Sequence, residues 1–90
     1  MQNNKYYEMI KKKFRVDSHS PEENIICLTL LEGEKKGLDF GFPTSNPEYS
    51  EVLESQISDL EKGDEINTII KSMNKQNTSW RFIEINILSK

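Results

Sequence analysis

Between Asn46 and Gly63 the apolar residues recur at helical spacing, and no other stretch of this chain does the same. Tyr49, Val52, Leu53, Ile57 and Leu60 fall three or four residues apart, which lays one stripe along a helix predicted over residues 47–62. Asn46 is a good N-cap and Pro47 suits the first helical position. Glu48 and Glu51 then sit where the helix dipole favours negative charge. Lys62 followed by Gly63 marks the far end, glycine being the usual residue after a helix. One helix, in one place, restricts the remaining chain to extended structure.

The flanking segments carry strand patterns. Residues 6–16 hold Tyr6, Ile10, Phe14 and Val16 in one phase and Lys11, Lys13 and Arg15 in the other. Glu8 and Lys12 interrupt the apolar phase, which predicts an irregular or bulged edge strand. The turn formers Asp17 to Pro21 end it. Residues 24–31 form a continuous apolar run, expected of a strand covered on both faces. A reversal at 32–37 leads to Leu38, Phe40 and Phe42, alternating with Asp39 and Gly41 as the second arm of a hairpin. After the helix, Ile66, Ile69 and Ile70 anchor a strand over 65–73, and 73–79 is a polar loop. The last strand places Ile83, Ile85 and Ile87 on one face, with Trp80, Phe82, Glu84 and Asn86 on the other.

Ninety residues make a single domain, 1–90, able to bury only about 60–65% of the surface its unfolded chain exposes. The expected fold is mainly β with one helix: a five-stranded antiparallel barrel in the order β-β-β-α-β-β, the helix plugging one end. This order resembles the OB-fold (oligonucleotide/oligosaccharide-binding fold). The resemblance also rests on Gly41, where a barrel strand would bend, and on Leu60-Glu61-Lys62-Gly63-Asp64-Glu65-Ile66 leading into the fourth strand. The chain is similar as well to small uncharacterised archaeal proteins of its size, a likeness that implies no function. The OB-like resemblance implies a ligand gripped by the loops at 17–23 and 73–79. It further implies that strands one, four and five are neighbours.

That adjacency gives the charge pattern its interest. The formal net charge is −3, yet residues 1–16 hold five basic residues against Glu8, while residues 47–65 hold seven acidic residues against Lys62. Residues 66–90 are basic again, with Lys71, Lys75, Arg81 and Lys90 against Glu84. Both basic ends would converge on one side of the barrel. Lys11, Lys13 and Arg15, a row at period two, suit a phosphate track; a solvated edge strand that uses lysine against aggregation is the plainer role. Trp80 beside the last loop suits a stacking platform, with Lys71, Lys75 and Arg81 to hold phosphates; a core-capping tryptophan is the plainer role.

Catalytic and metal signals are weak. His19 is the sole histidine and stands in a turn-like string, short of a ligand set or a triad. Cys27, the one cysteine, lies among apolar residues and reads as an inert core thiol. Asn77-Thr78-Ser79 matches a glycosylation sequon, set aside because no secretory signal is evident. No run is apolar enough to span a membrane. The expectation is a cytoplasmic, non-enzymatic binding module without cofactor or metal, engaging single-stranded nucleic acid weakly. The rival is a protein–protein interaction or assembly module, suggested by the sequence pI near 5.2 and the apolar run at 25–31.

Overall fold

The computed structural model describes residues 9–76 and 78–88. The expected strand start at Tyr6, the interruption at Glu8, and Asn77 of the sequon lie outside the described residues. Five strands form one antiparallel sheet: β1 (Met9–Ser20), β2 (Ile25–Leu30), β3 (Asp39–Phe42), β4 (Glu65–Ser72) and β5 (Trp80–Ile87). One helix, α1 (Glu51–Ser58), joins β3 to β4. Across the sheet the strands run β3-β2-β1-β4-β5. The element order is the expected one.

The sheet bends until its edge strands meet through side chains, and it is not closed into a barrel. Phe42 of β3 stacks on Phe82 of β5 with ring centroids 4.4 Å apart. No backbone ladder joins the two edges among the described residues. Part of the free edge of β5 is already occupied. The Phe82 N–H donates to the Tyr49 hydroxyl at 3.2 Å, and Gln56 Nε2 donates to the Ile85 carbonyl at 3.1 Å. Tyr49 in turn donates to the Pro43 carbonyl just beyond β3, at 3.0 Å. One side chain thus ties both edges together. Gly41 has no left-handed geometry to explain it; instead Ile25 Cδ1 lies 3.2 Å from where a β-carbon would stand.

The helix is shorter than its pattern. Asn46 does not cap it: the Asn46 side chain accepts from the Glu48 N–H at 2.8 Å, and its carbonyl accepts from the Tyr49 N–H at 2.9 Å, a turn that delays the helix. Ser50 is the N-cap, its hydroxyl accepting from the Leu53 N–H. At the other end, Glu61 to Asp64 make a separate turn. Asp64 Oδ2 accepts from the Glu61 N–H at 2.9 Å, and Gly63 takes φ +95° there rather than behind the helix. Val52 is 71% exposed and falls off the buried stripe formed by Tyr49, Leu53, Ile57 and Leu60.

Two bulges reset the strand phases. In β1, Val16 pairs with Leu28 and Ser18 with Cys27, so Asp17 is the extra residue. The strand then runs on through His19 and Ser20, where a turn was expected, because those residues pair with Ile26 and Ile25. Pairing outweighs local turn preference. In β5, Ile69 pairs with Glu84 and Ile70 with Phe82, which makes Ile83 the extra residue. Trp80 and Phe82 therefore point inward together with Ile85 and Ile87, contrary to strict alternation. β2 also corrects the sequence reading: Ile26, Leu28 and Leu30 are buried, but Ile25, Cys27 and Thr29 face the other way and are partly exposed. It is covered on one face only.

Candidate functional site

The pleat of β1, β4 and β5 sorts the charged and apolar residues onto two faces. Outward along β1 come Met9, Lys11, Lys13 and Arg15. Their partners on β4 are Lys71, Ile69, Asn67 and Glu65. Lys71 is in turn opposite Arg81 on β5. Five cations from the two basic ends of the sequence thus share the convex face, interrupted by Glu65 and Glu84. Lys71 and Arg81 are like charges directly across a ladder, an arrangement that costs stability unless something neutralises it. Glu48 does so partly, its carboxylate 3.9 Å from the Arg81 guanidinium. The glutamate side chain is 67% exposed, so this pair contributes at most about 1 kcal/mol. Lys75 is exposed in the β4–β5 loop.

Trp80 does not join them. It neighbours Arg81 in sequence, so it points to the opposite face, where it packs half-buried against the core. The expected grouping of Trp80 with Lys71 and Arg81 on one surface is therefore split between the two sides of the sheet. The two loops that the OB resemblance singles out also lie apart. Residues 17–23 fall at the Ser20 end of β1, and 73–79 follow Ser72, beside the Met9 end.

On the concave side, the end of the sheet away from α1 is open. A cleft of about 470 Å³ lies there, walled by Ile10, Phe14, Leu30, Phe40, Ile70 and Trp80. Its one half-buried charged residue is Lys12, in the inward phase of β1 between Ile10 and Phe14. The exposed mouth carries Glu32, Glu34 and Lys35. In the sequence Lys12 stands only as an interruption of the apolar phase, and Phe40 only as an alternating residue of a hairpin arm. The signal was present: an inward lysine in an otherwise apolar row.

The remaining candidates fall elsewhere. His19 Nδ1 lies 3.1 Å from the Leu60 carbonyl, at the helix-covered end. Cys27 is half-buried on the outward side of β2, not in the core. Tyr49 has its hydroxyl pKa pushed up to about 12 by burial, with the Phe82 N–H opposing that shift. Among the described residues, no three His, Cys, Asp or Glu side chains gather as metal ligands, and no helix is long and apolar enough to cross a membrane. Comparison with protein-family models, with curated proteins and with solved structures found no match to this chain.

Proposed function

We propose that this protein is a small non-enzymatic binding module with an OB-like, incompletely closed sheet, and that it holds the backbone of single-stranded nucleic acid along its convex face. One observation carries the reading: β1, β4 and β5 lie side by side, which brings Lys11, Lys13, Arg15, Lys71 and Arg81 onto one face despite an acidic net charge. The strand order β3-β2-β1-β4-β5, with β3 and β5 touching at Phe42 and Phe82, supports the OB-like description. Phosphates held by such a strip release counterions, so affinity is electrostatic and tolerant of sequence. Glu65 and Glu84 within the strip keep it weak. The rival reading, a docking module for a protein, drew on a doubly apolar β2, and that strand has one partly exposed face.

The test is fluorescence anisotropy of a labelled mixed-sequence strand of about 12 nucleotides, titrated at low and moderate salt. With about four phosphates engaged, affinity falls about 50-fold between roughly 50 and 200 mM salt. Lys11→Gln with Lys13→Gln flattens that slope by about half. Trp80 emission stays unchanged, because Trp80 is on the other face. No binding at low salt, or a slope that the double variant leaves intact, overturns the proposal.

A further inference from the structure

We propose that the open-end cleft is a separate binding site for a small apolar anion, an aromatic or aliphatic body bearing one carboxylate or similar group, with Lys12 as its counter-charge. The apolar walls of this site are on the face opposite the nucleic-acid strip, although Lys12 also borders a second cleft with Lys11, Ile69 and Glu84; the site does not depend on that reading. Three features point to it. The first is shape: about 470 Å³ lies within the range of roughly 300–1,000 Å³ typical of small-molecule sites, and the walls are mostly apolar, with Phe14, Phe40 and Trp80 among them. In a sheet that met edge to edge throughout, this end of the core would be sealed. Here the Phe42–Phe82 stack holds the edges together nearer α1, and Phe40 and Trp80 line an opening beyond it.

The second feature is Lys12. Alternation along β1 sends Ile10, Phe14 and Val16 inward, and Lys12 shares their phase. An aliphatic residue there would extend the core. A lysine instead gives up part of its hydration, and among the described residues it forms no ion pair in return. Its cross-strand neighbour Thr68 is buried, and its hydroxyl donates to the Lys12 backbone carbonyl at 3.0 Å. The third is the contrast with the mouth. Glu32, Glu34 and Lys35 leave a net charge of −1 at the mouth, but all three are exposed, so water and salt screen them. Lys12, half-buried as a residue and set among apolar walls, is screened less and sets the sign of the ligand. An apolar body satisfies the walls, and one negative group satisfies the amine.

The probe is 4-phenylbenzoate, compared with its neutral isostere 4-phenylbenzamide, followed through amide and indole N–H shifts in two-dimensional NMR spectra. The carboxylate is expected to move the Trp80 indole signal and the amides around Phe40 and Ile70, and to bind at least about five-fold tighter than the amide. Lys12→Met, which puts an apolar side chain in an apolar row, should abolish that preference while keeping a dispersed, folded spectrum. Lys12→Arg should restore it. The inference is overturned if neither compound shifts the cleft signals at millimolar concentration, if acid and amide bind alike, if Lys12→Met leaves the preference in place, or if the shifts map to the convex face. None of these outcomes bears on oligonucleotide binding, so the two proposals stand or fall separately.

Discussion

At the scale of single residues, Tyr49 bears the most. In the sequence it is one more apolar position on a helical stripe, and that much was legible. Its hydroxyl was not, because the two groups it joins, the Phe82 N–H and the Pro43 carbonyl, are brought together only when the sheet bends. Tyr49→Phe leaves both without that partner and is expected to cost about 1–3 kcal/mol in urea denaturation at neutral pH. The hydroxyl also sets a pH dependence. Its pKa is about 12 in the folded protein, against the ordinary tyrosine value of 10.0 that the unfolded chain takes. Below pH 10 the group is protonated in both states and its full contribution is present. Between pH 10 and 12 the unfolded chain releases a proton that the folded one keeps, so stability falls with rising pH, by about 2 kcal/mol in all. Tyr49→Phe removes that component, so the variant's stability should decline less steeply over this window. Parallel declines would show that the Tyr49 hydroxyl is not held protonated by the fold.

At the scale of elements, the number, kind and order of strands and the place of the helix followed from the sequence, whereas phases and ends did not. A bulge is a backbone event with no fixed residue signature, so strict alternation put Ile83 and Ile85 on one face. The register instead buries Ile85 to 2% exposure and leaves Ile83 as the unpaired extra residue. Thermal or urea denaturation separates the two descriptions. Ile85→Ala is expected to cost about 2–4 kcal/mol through a core cavity, and Ile83→Ala about 1 kcal/mol or less. Equal losses would restore simple alternation and remove the bulge. The helix start went astray for a similar reason. Asn46 and Ser50 are both competent caps, and only the competing turn at 46–49 decides between them. Ser50→Ala should therefore lower stability by about 1 kcal/mol. The candidate site was half legible in the same way. The basic row on β1 and its meeting with Lys71 and Arg81 follow from alternation and strand order. The separation of Trp80 from Arg81 follows from alternation as well; what the bulge conceals is that Trp80 shares the inward face with Ile85 and Ile87.

At the scale of the whole molecule, the unequal strength of the sheet's parts determines how it opens. β4 is paired along both sides and β1 pairs with β4 through its first half and with β2 through its second, the ladders overlapping at Phe14 and Arg15, while β3 is four residues long and has a backbone ladder only to β2. What holds β3 against β5 is the Phe42–Phe82 stack and the Tyr49 bridge. Local opening free energies follow such differences, with edge elements of few contacts opening before the centre. Amide hydrogen exchange should thus be fastest in β3 among the strands and slowest in the central pairs of β1 and β4, such as Phe14 with Ile66. Phe82→Leu keeps an apolar side chain but removes the ring stack, which contributes about 0.5–1.5 kcal/mol beyond area burial. If the seam is an independent unit, that substitution accelerates exchange in β3 well before it alters β1 and β4. It also widens the cleft at Phe40 and Trp80, shifting Trp80 emission to the red as water reaches the indole. Uniform acceleration throughout the sheet would instead make the seam part of a single cooperative core, with the cleft rigid and its walls fixed by the same contacts that hold β1 to β4.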